Sequence, residues 1–246
     1  MKTALITGAS GGIGSALAVA FAQQGYAVVL NYNNSEEKAR RLADVITESY
    51  RVPALAVKCD VSDYTQVCNM FSVIEENFGG ADVLLNNAGI SEQSLFTDIT
   101  AEQWRRMMGI NLDSVFYCCK SALPYMISKK SGVIINISSM WGQTGASCEV
   151  HYSTAKAGII GLTKALAKEV GPSGVRVNAI APGVVMTDMM SSFSEEDVCQ
   201  LKDETPLQKL GTPKNIADAA VFLASQKAEF ITGQILGVNG GFVIEK

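Results

Sequence analysis

A chain of 246 residues has room for one α/β domain, and 48% hydrophobic against 18% charged residues excludes a disordered polypeptide. Its 24 acidic and 20 basic side chains leave a net charge of −4, the wrong sign for a general nucleic-acid binder, whose phosphate contacts need clustered Lys and Arg. No run reaches the ~18 apolar residues of a membrane span. The opening MKTALITGAS is too short an apolar stretch for a signal peptide, so a cytoplasmic setting is expected, with no membrane partner. Six cysteines without a C-x-x-C pair, beside the lone His151, read as reduced structural thiols and not as a zinc site.

In chain order, strands and helices are expected to alternate. Strand Thr3–Thr7 leads to helix Ile13–Gln24, strand Ala27–Asn31 to helix Ser35–Ser49, and strand Ala54–Lys58 to helix Tyr64–Phe78. Strand Val83–Asn86 precedes a long helix Ala101–Ser128, strand Val133–Ser138 precedes helix Tyr152–Glu169, and strand Val175–Ala181, helix Pro213–Ser225 and strand Ile235–Val238 complete the chain. The strands are continuous apolar runs such as VVL and VIINI, the pattern of parallel strands buried on both faces. The expectation is therefore α/β, one doubly wound Rossmann-type domain over 1–246, with a parallel sheet of about seven strands and helices on both faces. Ser35 and Thr100 stand where helix caps belong. The segment 184–210, with Met186, Met189, Met190 and SSFSEED, breaks the alternation and reads as a substrate loop.

Chemistry gathers at a few motifs. The first strand runs into Gly8-Ala9-Ser10-Gly11-Gly12-Ile13-Gly14, and the glycines Gly8, Gly12 and Gly14 let backbone approach a pyrophosphate at a helix N-terminus. Tyr152 and Lys156 are four apart, on one face of a helix, where an ammonium favours the phenolate and would bring the phenol into a useful range for proton transfer. Ser139 stands at the end of the VIINIS strand, directly after Ser138, where doubly wound sheets bind ligands, and its hydroxyl suits a substrate carbonyl; Ser138 is its neighbour and competitor. His151 points about 100° away from Tyr152 and is left outside this set, with a place on the substrate rim still open.

T-G-x-x-x-G-x-G after the first strand, Asn86-Asn87-Ala88-Gly89 after the fourth and Tyr152-Ser153-Thr154-Ala155-Lys156 together resemble the short-chain dehydrogenase/reductase family. Asp60 after the third strand, Pro182-Gly183 after the sixth and Asn239-Gly240-Gly241 near the end extend the resemblance over the whole chain. Within the family the chain is most similar to 3-oxoacyl-acyl-carrier-protein reductases, and also to reductases of a ketone-bearing modified lysine on elongation factor P. The resemblance implies a catalytic tetrad of Asn111, Ser139, Tyr152 and Lys156, in which thirteen-residue spacing to Tyr152 favours Ser139, Lys156 also holds the ribose, and Asn111 holds a relay water. It implies cofactor contacts at Gly8, Ser10, Gly11, Gly12, Ile13, Gly14, Asn31, Asn33, Asp60, Val61, Asn87, Ala88, Gly89, Tyr152, Lys156, Pro182, Gly183, Val185 and Thr187. It also implies a homotetramer, with a dimer across the helices Ala101–Ser128 and Tyr152–Glu169.

No carboxylate follows the second strand until Glu36, which removes repulsion against a 2′-phosphate; no Lys or Arg sits at the strand end, but polar Asn and Ser side chains there could bind the phosphate, with Lys38 or Arg40 nearby, so NADPH is favoured over NADH. The expected activity is reduction of a 3-oxoacyl thioester. The paired Lys129-Lys130 suits an acyl carrier protein, although Gly171-Pro172-Ser173 offers no base. A small alcohol, sugar or steroid dehydrogenase and a silent dinucleotide-binding regulator are the rivals.

Overall fold

The computed structural model describes residues 1–187 and 194–244. Its strands are β1 (Thr3–Ile6), β2 (Ala27–Tyr32), β3 (Ala54–Lys58), β4 (Val83–Asn86), β5 (Gly132–Ile137), β6 (Val175–Pro182) and β7 (Ile235–Val238). Its helices are α1 (Gly12–Gln23), α2 (Glu36–Tyr50), α3 (Tyr64–Phe78), α4 (Ala101–Met108), α5 (Ser114–Lys129), α6 (Met140–Thr144), α7 (Val150–Val170), α8 (Glu195–Glu204) and α9 (Pro213–Ala224). The strands form one sheet in the order β3-β2-β1-β4-β5-β6-β7, every pair parallel, as the continuous apolar runs require. Crossovers from β1 and from β4 run to opposite sides, which opens a crevice at their carboxyl ends.

Alternate strand residues feed two cores. Ile6, Leu30, Leu85 and Ile135 meet Leu17 and Phe21 of α1, Ile46 of α2 and Ile216 and Leu223 of α9. Leu5, Val29, Leu84, Ile134 and Val177 meet Val67, Met70 and Ile74 of α3, Val115 and Cys118 of α5 and Ile159 of α7. The helices thus clamp the sheet from both faces, and the strand ends become the rigid rim on which the site is built.

Three local differences separate structure from expectation. Thr100 closes a reciprocal capping box with Gln103, but the Ser35 hydroxyl makes no cap bond, since its ψ of 61° departs from the extended backbone a cap needs. The single helix expected over Ala101–Ser128 is two, joined by a π-helical segment at Gly109–Asp113. In the 184–210 segment, Val185 bridges to Gly211, and Ser194 caps α8 through a capping box with Asp197. Met189 and Met190, expected in the substrate loop, lie outside the described residues.

Candidate active site

Nearly every residue singled out from the sequence stands at the carboxyl edge of the sheet. The turn between β1 and α1 is shaped by close approach. Gly8 has φ +63°, and a Cβ there would stand 2.9 Å from Ala88 Cα; a Cβ on Gly14 would strike the Gly8 carbonyl oxygen. A Cβ on Gly12 would lie 3.1 Å from Thr187 Cγ2, so Thr187, beyond β6, leans on the glycine turn. The N-terminus of α1 starts after Gly11 with no side-chain cap, leaving its amide donors and positive dipole end for an anion.

Two asparagines brace this turn. Asn87 donates to the carbonyls of Thr7 (2.9 Å) and Gly8 (3.2 Å), while Thr7 Oγ1 accepts from the Asn87 and Ala88 amides. Asn31 is buried: its Oδ1 accepts from the Gly8 amide, and its amide donates to the Cys59 and Tyr32 carbonyls. Its polar atoms all serve the fold, so it sets the loop and does not reach toward a ribose. Asn33 beyond it is exposed, Asp60 accepts from the Ser62 amide and hydroxyl, and Val61 is buried. Gly183 donates to the Val238 carbonyl, and Val185 is buried in the core.

A groove of about 280 Å³ opens beside the glycine turn, lined by Ser10, Ser15, Lys38, Arg41, Leu42 and Val45. Arg40 is instead paired with Glu36 at 2.8 Å on the outer face of α2. Of the two bases considered from the sequence, Lys38 lines this groove and Arg40 does not; Arg41, one residue further along the helix, stands there.

The second cluster forms where β4, β5, the π segment and α7 meet. Ser139 follows β5 and caps α6, accepting from the Trp141 amide at 3.1 Å. Ser138 turns the other way and donates to the Lys156 carbonyl at 2.8 Å. Lys156 is buried and donates from Nζ to the Ile137 carbonyl at 3.0 Å, with the same Nζ 5.6 Å from the Tyr152 ring centroid. Gly89 fits between them and Asn111: a Cβ there would stand 2.6 Å from Asn111 Oδ1 and 3.4 Å from Lys156 Nζ. Asn111 is wholly buried in the π segment, donating to the Ile90 carbonyl and accepting from the Ile90 amide. A π turn at a functional cluster is a recurrent device, and here it aims Asn111 at Gly89.

Electrostatics in the cluster differ from the sequence expectation. Burial pushes the Tyr152 phenol up to about 12, hydrogen bonding to the Ser139 hydroxyl opposes the rise, and the Glu149 charge adds to it. Burial also brings the Lys156 ammonium down to about 8. Burial outweighs the drawing-down of the phenol expected from Lys156, whose Nζ lies 5.6 Å from the ring centroid.

Glu149 was not anticipated. It is buried at the start of α7, one helical turn before Tyr152, and accepts from Ser91 Oγ and Gln93 Nε2, both at 3.4 Å. The signal was present: Glu149 is the sole charged residue between Lys130 and Lys156. His151 is fully buried and not on a rim, with no hydrogen-bond partner for either ring nitrogen among the described residues.

A family model described as enoyl-(acyl carrier protein) reductase matches residues 8–243. The chain belongs to the short-chain dehydrogenase/reductase family. It is 43% identical over 241 residues to an uncharacterized oxidoreductase, YmfI, of Bacillus subtilis, covering 98% of both chains. It is 41% identical over 240 residues to the 3-oxoacyl-[acyl-carrier-protein] reductase FabG of Staphylococcus aureus, covering 98% of this chain and 97% of that one. The FabG of Aquifex aeolicus is 40% identical over 240 residues, covering 98% and 96%. The protein is an oxidoreductase acting on ketone or hydroxyl groups with a nicotinamide dinucleotide. Among the described residues, no helix is long and apolar enough to cross a membrane.

Proposed function

We propose that the chain reduces a ketone to a secondary alcohol with NADPH, its substrate a 3-oxoacyl thioester. The observation that carries the reading is the joining of Ser139, Tyr152, Lys156 and Asn111 at the ends of β4 and β5. A hydroxyl and a phenol side by side are complementary to an oxygen gaining negative charge, which suits carbonyl reduction. The FabG relatives, by name, act on 3-oxoacyl groups carried by acyl carrier protein.

The crowded glycine turn fits a dinucleotide, since Gly8, Gly12 and Gly14 have no room for side chains and the uncapped N-terminus of α1 is left to meet the phosphates through backbone amides. Gly8, Ser10, Gly11, Gly12, Ile13 and Gly14 would hold the pyrophosphate, and Asn33, Asp60, Val61, Asn87, Ala88 and Gly89 the adenosine path. Pro182, Gly183, Val185 and Thr187 would flank the nicotinamide, and Lys156 the ribose. Lys38 and Arg41 around the 280 Å³ groove would supply positive charge, and Ser10 a hydroxyl, to a 2′-phosphate, which supports NADPH over NADH. A nicotinamide held beside Thr187 would supply hydride to the carbonyl carbon. Ser139 orients the carbonyl oxygen, and the neutral Tyr152 phenol gives it a proton. Lys156 stabilises the phenolate left behind, and Asn111 with Gly89 holds the lysine end of the proton path.

Carrier docking has weaker support on this surface. Lys129 pairs with the buried Asp82 at the amino end of the sheet, away from the site, which leaves Lys130 alone of the expected pair. A second substrate reading, a ketone-bearing modified lysine on elongation factor P, is favoured by the buried carboxylate of Glu149, because such a substrate keeps a basic nitrogen. We place the reaction in the cytoplasm, where six free thiols stay reduced, and in a homotetramer. NADPH oxidation against an acetoacetyl thioester, the modified elongation factor and a panel of small ketones tests the proposal. Turnover of at least one is expected, and no oxidation with any ketone overturns it.

A further inference from the structure

Three consecutive residues where β5 ends each hold α7. Ser138 Oγ donates to the Lys156 carbonyl at 2.8 Å, and Lys156 Nζ donates to the Ile137 carbonyl at 3.0 Å. Asn136 Nδ2 donates to Thr163 Oγ1 at 2.9 Å, and that hydroxyl donates onward to the Ile159 carbonyl at 2.8 Å. Asn136 is fixed in turn: its Oδ1 accepts from Nδ2 of Asn86, its register partner on β4, at 2.9 Å. Asn136 and Thr163 are wholly buried, and Asn86 is nearly so. Alternation puts both asparagines on the sheet face that meets α5 and α7, directly after Leu84 and Ile134 of the core. A buried polar line thus replaces apolar packing in the last layer below the site.

The place of this line gives it a use beyond holding the sheet. The two bonds at Lys156 grip α7 at one residue, about which a helix can still pivot. Thr163 is seven residues further on, two turns along the same face and about 10 Å down the axis. A helix held at two points that far apart has a fixed direction. The other end of the line carries a second reference: Asn86 is followed by Asn87, which braces the glycine turn through the Thr7 and Gly8 carbonyls. The line therefore sets α7, with Tyr152 and Lys156 on it, against the strand that supports the glycine turn. Apolar contact would hold these elements together without direction, whereas a buried hydrogen bond is costly to leave unmade and so specifies one arrangement.

We propose that Asn136 and Thr163 are positioning residues for the reduction: their buried bond sets the direction of α7, and with it the seat of the Lys156 amine beneath Tyr152. The inference rests on the ketone-reduction reading above and holds for the 3-oxoacyl thioester as for any other ketone. Both side chains bond only within the fold and act through Lys156. Around the amine stand Tyr152 on its own helix, the Ile137 carbonyl of β5 and, across Gly89, Asn111 Oδ1. No Asp or Glu of the described residues pairs with it. Its seat therefore depends on neutral groups and on the helix that carries it.

The test uses Thr163→Val, which keeps the shape and removes the hydroxyl, Thr163→Ser, which keeps the hydroxyl, and Asn136→Leu, which breaks the bond from the strand side. With an acetoacetyl thioester and NADPH, Thr163→Val and Asn136→Leu should lower kcat about tenfold or more with KM little changed, and Thr163→Ser should stay within about threefold of the parent. Cofactor-free protein separates positioning from stability alone. The urea midpoint of the parent gains on that of Lys156→Met from pH 8 to pH 10, because the buried amine binds fewer protons than the unfolded chain. That gain should fall by about half or more when both chains carry Thr163→Val, since an amine out of its seat meets water. Should Thr163→Val not fold, Asn136→Leu takes its place in this cycle. A tie that is only structural would lower both midpoints alike at every pH, so an undiminished gain overturns the inference, as does a parent with no gain to lose. A kcat within about twofold of the parent in both Thr163→Val and Asn136→Leu overturns it too. If the parent reduces no ketone, the ketone-reduction reading fails, and the urea cycle alone decides whether Asn136 and Thr163 seat the amine.

Discussion

Lys156 is tied to Ile137: its Nζ donates to the last carbonyl of β5 at 3.0 Å, so the sheet itself holds the lysine in register with Tyr152 one turn back. The bond fixes the amine beneath the phenol while burial keeps its proton loosely bound. In the proposed mechanism the lysine both steadies the phenolate and holds the ribose. Lys156→Ala is accordingly expected to lower turnover and to weaken NADPH binding measured by fluorescence titration. Unchanged affinity would restrict the lysine to Tyr152 alone.

The same residue shapes stability against pH. Lys156 titrates near 8 when folded and near 10.5 when unfolded, so between those values the unfolded chain holds more protons and stability rises with pH. At about 1.4 kcal/mol per pH unit, the gain reaches about 3 kcal/mol. Tyr152 acts the opposite way above pH 10, because the folded protein keeps a proton that the unfolded chain loses. In urea melts, the midpoint of the parent should gain on that of Lys156→Met from pH 8 to pH 10. A gap between them that does not vary with pH would contradict the buried amine.

Tyr152→Phe removes the phenol oxygen that the mechanism uses as proton donor. Turnover should fall by about a hundredfold or more, with NADPH affinity little changed. Activity within tenfold of the parent would remove Tyr152 from its role.

Cofactor choice is tested at the groove beside Ser10. The double variant Lys38→Ala and Arg41→Ala should raise KM for NADPH about tenfold or more while moving KM for NADH far less. Arg40→Ala is the control, since Arg40 faces outward onto Glu36. An equal rise for both cofactors would mean the two bases do not read the 2′-phosphate.

Burial pushes the Cys118 thiol well up, and that of Cys119 up to about 12, so neither supplies a thiolate near neutral pH. A disulfide reagent should label exposed Cys199 first and reach Cys59, Cys118 and Cys119 only on unfolding. Replacing Cys118 and Cys119 together by Ala should leave the chemical step near parent rates. A hundredfold loss in a folded variant would revive a thiol mechanism.

Assembly through α5 and α7 is tested at Gly161. Gly158 and Gly161 both lie on α7, where a residue without a side chain would admit a second helix. Gly158 instead accommodates Leu112 of its own chain, whereas Gly161 faces open space. Gly161→Glu should dissociate the proposed tetramer and reduce activity, read by light scattering beside an NADPH assay. An active monomer at micromolar concentration would defeat it.

The sheet, its order of elements and the glycine turn were legible because buried parallel strands and a glycine-rich βα turn leave continuous, local signatures. Tyr152 and Lys156 were legible because helical spacing is local as well. What escaped depends on long-range contact. Asn31 looks like a free polar group until Gly8, Tyr32 and Cys59 claim its atoms. Arg40 and Arg41 are indistinguishable until α2 shows which one faces the glycine turn. Glu149 gains its meaning from Ser91 and Gln93, more than fifty residues earlier.

The wide turn at Gly109–Asp113 also sets a counting rule for the chain. A π turn carries one residue more than the α-helix it interrupts, and one residue is about 100° of rotation. Ahead of that offset Met107 faces inward; beyond it Val115, Cys118, Ala122 and Met126 do. Asn111 occupies the offset itself. Deleting one residue between 109 and 113 would restore an unbroken helix that any propensity scale would favour. It would also turn either the asparagine away from Gly89 or the buried stripe of α5 toward water. At this point the helix cannot be regularised by a single residue without losing the site or the core.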